Sequence, residues 1–330
     1  MNNQENIKDF LNPEKYPFPD TVPLPPHLNP FLNDGVDIIP VIIYNPTFQN
    51  MKVPVALQML EDAEKKGLLR GVHTLVEATS GNTGYALGIL APYFGIRRVI
   101  AVVKRDTAPG KLEQLRLAGV EIHFASQDKT PINEAKEMGA QDGYLNLNQY
   151  GNDANWKAHY GWTGPHVWKQ TNGKISVFCA GLGTTGTLIG ASRFLKERNQ
   201  KITVVGIILA PESAIPGVRT EKDLRQIEFD WGSFLHRAEL VETKSAYQKS
   251  RALCLAGIMA GPSSGFAYAG ALKFIQETKE AGQLDGLRNS EGRVVVAFTC
   301  GDTPFPYLEK YSMILDSEDF NPLDPLLVQQ

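Results

Sequence analysis

Thr79-Ser80-Gly81-Asn82-Thr83-Gly84 packs three hydroxyls, one carboxamide and two glycines into six positions. It lies between an apolar run, His73 to Glu77, that reads as a strand, and a helix expected over Tyr85 to Tyr93. A turn that opens a helix leaves several backbone N–H groups without intrahelical partners, and the aligned peptide dipoles add partial positive charge there. The hydroxyls of Thr79, Ser80 and Thr83 supply further donors, and Asn82 offers both a donor and an acceptor, so the hexad is suited to holding a carboxylate. Ordinary helix capping uses the same residue types, but a cap needs one of them and four are present.

Two more glycine and hydroxyl loops stand before expected helices. Gly181-Leu182-Gly183-Thr184-Thr185-Gly186-Thr187 follows an apolar strand and gathers backbone amides and three threonine hydroxyls around a point where a phosphate can sit. The same residues fit the G-x-G-x-x-G template of dinucleotide sites, a weak signal alone. The acid that reading requires would be Glu212, displaced past Pro211, and the hexad at 79–84 would have no role in it. Gly261-Pro262-Ser263-Ser264-Gly265 precedes a helix expected over Phe266 to Ala281, and its hydroxyls suit either a cap or a heterocycle nitrogen. Lys52 lies just past an Asn45-Pro46 turn, with Pro54 fitted to the first turn of the next helix. Most lysines are solvated surface residues. An amine held among apolar residues beside a helix N-terminus instead has its charged form disfavoured, as a Schiff-base lysine requires. Three such loops and one lysine describe a site for a phosphorylated aromatic aldehyde, pyridoxal 5′-phosphate.

The elements that must carry these loops alternate. Val36 to Tyr44 reads as a buried strand. Helix Val55 to Lys66, strand His73 to Glu77, helix Tyr85 to Tyr93, strand Arg98 to Val103, helix Gly110 to Ala118, strand Glu121 to Phe124 and helix Ile132 to Glu137 follow. A second series runs through helix Gly164 to Gln170, strand Ile175 to Ala180, helix Leu188 to Arg198, strand Thr203 to Ala210, helices Ala246 to Leu255 and Phe266 to Ala281, and the run Arg293 to Phe298. The expected fold class is α/β, with two open, mostly parallel sheets covered by helices on both faces and the ligand in the cleft between two lobes. The segment up to Leu32 carries seven prolines and is expected to run extended over the surface or a neighbouring subunit, or to be a poorly ordered arm.

Composition narrows the function classes. With 330 residues, 42% apolar and 21% charged, the chain has ample material for two cores. No apolar run is long enough for a membrane span, and Met1 to Phe10 lacks the basic and apolar pattern of a secretory signal, so cytoplasm is the expected location. Net charge is -3 without a basic stripe, so nucleic acid is not an expected partner. Cys179, Cys254 and Cys300 have no metal-site spacing and cannot all pair, which favours a reducing compartment and no metal.

Taken in order along the chain, His27-Leu28-Asn29-Pro30, Asn45-Pro46 through Lys52, Thr79 to Gly84, Gln149 to Asn155, Lys157 to Tyr160 with Thr163-Gly164-Pro165, Gly181 to Thr187 and Gly261 to Gly265 resemble the cysteine synthase and cystathionine β-synthase group. These are fold-type II, tryptophan-synthase-β-like enzymes of pyridoxal phosphate. The resemblance implies that Lys52 forms the internal aldimine and acts as the base. It further implies that Asn82 contacts the 3′-oxygen of the cofactor, that Gly183, Thr184, Thr185, Gly186 and Thr187 bind its phosphate, and that Ser263 faces its ring nitrogen. Thr79, Ser80, Thr83 and Gln149 would hold the substrate carboxylate. A neutral hydroxyl at the ring nitrogen would limit its protonation and favour β-elimination.

The implied activity is β-replacement on an O-activated L-serine, such as O-acetylserine, with sulfide to give L-cysteine through an aminoacrylate. The alternatives are a cystathionine β-synthase or a cysteine or serine β-lyase, and a non-catalytic scaffold of the same fold. Residues 45–150 would form a smaller movable lobe, residues 20–44 and 151–318 the larger cofactor-binding lobe, residues 1–19 an arm and residues 319–330 a tail. A homodimer is implied, and by family analogy the C-terminal peptide of a serine acetyltransferase as a partner. The chain departs from the family's Ser-Val-Lys-Asp-Arg type run around the lysine, having Asn50-Met51-Lys52-Val53-Pro54, and carries Ala78 where the family has proline. Ile215-Pro216-Gly217-Val218-Arg219 resembles the B-type sulfhydrylases, with Arg219 either meeting a larger or anionic donor or lying on a surface loop.

Overall fold

The computed structural model describes residues 17–44, 48–79 and 81–320. Among the described residues, nine strands form two parallel sheets. The larger has five strands in the order β1 (Val36–Ile42), β9 (Val294–Cys300), β6 (Val177–Gly181), β7 (Thr203–Leu209) and β8 (Arg237–Val241). The smaller has four, in the order β4 (Glu121–Phe124), β3 (Arg98–Val103), β2 (Thr74–Ala78) and β5 (Tyr144–Leu145).

Each sheet follows from its strands' composition. Strands of a parallel sheet covered on both faces are continuous apolar runs, and all seven residues of β9 are buried. β1 contains Pro40, which cannot donate to a ladder, and it occupies an edge, paired only with β9 in the register Val36↔Val294 to Ile42↔Cys300. Helices expected at Gly164 to Gln170 and strands at Arg98 to Val103 and Glu121 to Phe124 occur with those bounds, and most others shift by a few residues.

Two strands escape the sequence reading. β5 has two residues, and β8 alternates charged with apolar residues at a sheet edge, its buried Glu239 held by Arg237 at 2.6 Å and Lys273 at 3.4 Å. The expected Asn45-Pro46 turn lies outside the described residues. Residues 17–31 form no helix or strand, yet Phe18, Leu24, Leu28 and Phe31 are buried, and Leu24 N–H donates to Ile38 of β1 at 2.8 Å. The proline-rich stretch, where described, is therefore anchored on the large sheet.

The connections that matter leave the carboxyl ends of strands. Thr79 follows β2, Gly181 ends β6, and Gly301-Asp302 follows β9. In open α/β sheets this is where ligands bind.

Candidate active site

Lys52 opens the helix Lys52–Lys65 instead of standing ahead of a helix at Val55. Its backbone N–H donates to Asn50 Oδ1 at 2.8 Å, and the same asparagine donates through Nδ2 to the carbonyl of Asn82 at 2.8 Å. Met51 N–H reaches the carbonyl of Gly301 at 3.1 Å, so the lysine turn is tied to both sheets. Lys52 is half-buried as a residue, but its amine is enclosed by protein. Desolvation lowers its pKa to about 8 against an opposing pull from Asp302.

The hexad opens the helix Asn82–Leu90 from the end of β2. No side chain caps at Gly81, the N-cap position. Instead the Thr79 hydroxyl oxygen accepts from Gly81 N–H at 3.0 Å and Gly84 N–H at 3.4 Å, which leaves its proton for a ligand. Thr83 donates to Gln149 Oε1 at 2.7 Å, and Gln149 Nε2 donates to the Ala78 carbonyl at 2.6 Å. Both ends of the Gln149 side chain are thus engaged, and in this state it braces the loop in place of presenting a free amide. Ser80 lies outside the described residues. Gly81 has φ +131°, and a Cβ there would meet Lys111 Cδ at 2.8 Å, so glycine is required by backbone and by packing alike.

Across the cleft, the loop after β6 turns into the helix Gly186–Arg198. Thr185 adopts a left-handed φ of 66°, a conformation costly for a β-branched residue and characteristic of functional loops. Its hydroxyl is buried without a hydrogen-bond partner. Thr184 Oγ1 accepts from Asn155 Nδ2 at 2.9 Å, and Thr187 Oγ1 lies 3.1 Å from His159 Nε2. Burial, and next the charge of Lys52, hold the His159 pKa well below the usual range, so this imidazole is neutral. A Cβ on Gly183 would meet the Gly217 carbonyl at 2.1 Å, and one on Gly186 would meet Asn155 Oδ1 at 2.2 Å.

Ser263 lies in the first turn of the helix Pro262–Glu280 but caps nothing, donating to Asp302 Oδ1 at 3.1 Å. Asp302 also accepts at Oδ2 from Tyr307 O–H at 2.6 Å and from Asn82 Nδ2 at 3.3 Å. A second enclosed amine, Lys111, donates to Asn82 Oδ1 and to Gln114 Oε1 at 3.0 Å, and lies 4.8 Å from the centre of the Tyr307 ring. Desolvation lowers its pKa to about 8 as well.

Asp302, Lys111 and Tyr307 did not figure in the sequence reading, and Asn50 and His159 figured only within motifs, with no role of their own. Asp302 carried a usable signal, a carboxylate just past an apolar strand; a lysine within the helix Pro109–Leu117 carried none. The loops enclose one cavity of about 830 Å³, lined by Thr79, Asn82, Thr83 and Gln149, by Lys52, and by Gly183, Thr184, Thr185, Thr187 and Ser263. Arg219 lines it too, half-buried, its guanidinium 4.8 Å from the centre of the Tyr150 ring.

Residues 44–299 match the profile of the family described as pyridoxal-phosphate dependent enzymes. The chain belongs to that family. Cysteine synthase B of Salmonella typhimurium is 34% identical over 257 residues, covering 76% of this chain and 80% of the relative, and cysteine synthase A of Escherichia coli is 32% identical over 253 residues, covering 71% and 78%. Among solved structures, a hydrogen sulfide-producing enzyme from Fusobacterium nucleatum superposes with a TM-score of 0.72 at 26% identity, covering 83% of this chain and 92% of that one. An O-ureido-L-serine synthase variant with O-ureido-L-serine bound gives 0.76 at 25% identity, covering 95% of both. The protein is a pyridoxal-phosphate dependent, cysteine synthase-like enzyme, and the dinucleotide reading of Gly181 to Gly186 falls.

The residues present fit this cofactor. A buried, unpartnered Thr185 hydroxyl and glycines that allow no Cβ are what a loop closing on a phosphate needs, and an enclosed lysine amine lies in the same cavity. No helix among the described residues is long and apolar enough to cross a membrane.

Proposed function

We propose that the enzyme converts an O-activated L-serine, with O-acetyl-L-serine the first choice, and sulfide into L-cysteine, releasing the activating group as acetate. The observation that carries this reading is the desolvated Lys52 amine between a carboxylate-type loop and a phosphate-type loop in one cavity. When bound, pyridoxal phosphate holds the amino nitrogen of the substrate and withdraws electron density from its Cα.

The chain's own residues do the rest. Gly183, Thr184, Thr185, Gly186 and Thr187 hold the phosphate, Asn82 meets the 3′-oxygen and Ser263 the ring nitrogen. Thr79, Ser80 and Thr83 take the substrate carboxylate, and Gln149 supports them by fixing Thr83. Lys52, with a pKa of about 8, is about one-tenth neutral at pH 7, far more than an ordinary lysine, and takes the Cα proton while the β-substituent leaves. Residues 45–150, with a sheet of their own, form the lobe that closes on the carboxylate and excludes water.

The test is the visible spectrum of the purified protein before and after O-acetylserine, followed by sulfide, with cysteine measured as product. A band that depends on Lys52, changes with O-acetylserine and returns with sulfide supports the proposal. A band that responds only to cysteine, with sulfide released, replaces it by a β-lyase activity of the kind named for the Fusobacterium relative. A protein whose Lys52→Ala variant has the same spectrum as wild type is not catalytic in this way.

A further inference from the structure

We propose that Asn155 and His159 are positioning residues that aim the hydroxyl protons of Thr184 and Thr187 into the cavity, so that both threonines meet the cofactor phosphate as donors. The inference rests on the reading that Gly183 to Thr187 hold that phosphate.

Asn155, His159 and Thr163 stand four residues apart and form one polar stripe along the helix Ala154–Ala158 and the wide π-turn His159–Thr163 that continues it. All three are buried, and π-turns recur at functional sites. The helix Gly186–Arg198 packs closely on this segment, so that a Cβ on Gly190 would meet the Trp156 carbonyl oxygen at 2.1 Å. Thr184 and Thr187 line the cavity, and the stripe supports them from behind.

Asn155 settles Thr184. Its Nδ2 donates to the Gln149 carbonyl at 2.7 Å and to Thr184 Oγ1 at 2.9 Å. The carbonyl can only accept, so the amide cannot be turned round, and Thr184 must accept from it. The Thr184 proton is thereby left for the cavity. Asn155 Oδ1 is buried without a partner, so the amide is held for what its nitrogen does.

His159 settles Thr187. Its ring is neutral, so one nitrogen carries the proton and the other a lone pair. Nδ1 lies 2.8 Å from Thr163 Oγ1, and Nε2 lies 3.1 Å from Thr187 Oγ1. Two other buried helical hydroxyls, on Ser192 and Thr278, donate to the carbonyl four residues back, at 2.6 and 2.7 Å. The Thr163 hydroxyl makes no such bond, and its proton has the Nδ1 lone pair as its acceptor. The ring proton then belongs on Nε2 and is given to Thr187, whose own proton is free for the cavity. An ionised phosphate oxygen only accepts. The opposite tautomer would draw the Thr187 proton inward and leave one acceptor facing another.

The test has two parts. NMR of holoenzyme with 15N-labelled histidine, the His159 signals being those lost in His159→Gln, reads the ring nitrogens at neutral pH. Nε2 is expected to carry a proton, and a bare Nε2 overturns the proposal. Fluorescence titration of apoenzyme with pyridoxal phosphate reads the rest. Thr184→Val and Thr187→Val are each expected to weaken binding by about tenfold to a hundredfold, as for loss of a bond to a charged group. If neither does, the reading of the loop as a phosphate site fails first and the inference falls with it. His159→Leu and Asn155→Leu keep the threonines but not their orientation, and each is expected to weaken binding by about threefold to tenfold. Neither should add to the loss once Thr187→Val or Thr184→Val, respectively, is in place. If the threonine variants bind weakly while the leucine variants bind as wild type does, or add their full effect to the threonine variants, the inference alone fails. Should the leucine variants not fold, His159→Gln keeps a side-chain N–H for Thr187. Binding within about threefold of wild type then supports the positioning role, and a loss as large as that of Thr187→Val overturns it.

Discussion

Lys111 donates to the side-chain carbonyl of Asn82, and because an ammonium can only donate, this bond decides which end of the amide faces the cleft. Oδ1 is held at the lysine, and Nδ2 is turned toward Asp302, 3.3 Å away. Asn82 therefore turns its amide nitrogen away from the lysine, the orientation that the proposed contact with an oxygen of the cofactor ring calls for. The lysine stem runs beneath the hexad, which is why Gly81 has no room for a Cβ. Lys111→Met keeps the apolar stem and removes the charge. A hydrogen bond to a charged group is worth ~1.5 to ~3 kcal/mol, so kcat/KM is expected to fall by about tenfold to about a hundredfold, with a displaced absorption maximum of the bound cofactor. An unchanged spectrum and rate would remove Lys111 from the site.

Lys52 sets a pH profile. Its pKa is lowered to about 8, so the neutral amine grows about tenfold per pH unit below that value and levels above it. The rate at which apoenzyme takes up pyridoxal phosphate covalently is expected to rise with pH and reach a plateau past about 8. Lys111 has a similar pKa, and Lys111→Met separates the two, because the midpoint should survive that substitution if it belongs to Lys52. Stopped-flow absorbance across pH 6 to 10 reads the profile, and a rate flat in pH contradicts the assignment.

The fold and the three loops were legible because each rests on local chemistry. Apolar runs of strand length marked β3, β6 and β9, and glycine with hydroxyl residues marked the turns after β2 and β6. What stayed hidden depends on contacts far apart in sequence. Asp302 gains its meaning from Ser263, 39 residues earlier, and from Asn82, 220 earlier. Lys111 reads as a surface lysine on a helix until its neighbours close over it. Gln149 was expected to hold substrate, but the pairing of its amide with Thr83 and Ala78 could not be read from one stretch of chain. β8 stayed hidden because its buried glutamate breaks the apolar pattern and is satisfied by Arg237 and by a lysine from another element.

The phosphate-type loop gives two graded variants. Thr185→Val removes the unpartnered hydroxyl while keeping the shape of the side chain, and loss of one bond to a charged group is expected to weaken cofactor binding by roughly tenfold to a hundredfold. Gly183→Ala drives a Cβ to 2.1 Å from the Gly217 carbonyl, so backbone must move and the loss should be larger. Fluorescence titration of apoenzyme with pyridoxal phosphate measures both. If Thr185→Val binds as wild type does, the hydroxyl is not a phosphate donor.

Glu77 governs the acid side of stability. It is buried in β2 beneath the hexad, accepting from Gln149 N–H at 3.2 Å and Asn146 Nδ2 at 3.3 Å, and desolvation raises its pKa to about 8 against the backbone donors of Gln149 and Asn148, which lower it. The folded state therefore holds a proton that the unfolded chain releases above about 4.5. Its contribution is fully present below that pH and is lost as pH rises to about 8, with a slope approaching one proton, or ~1.4 kcal/mol per unit. Glu77→Gln keeps a neutral group of the same shape and removes this titration. Apoenzyme carrying it should match wild type near pH 5 and exceed it increasingly toward pH 8 in urea unfolding. A difference between the two that does not change with pH would mean that Glu77 is ionised in the fold, with its two donors outweighing the cost of burial.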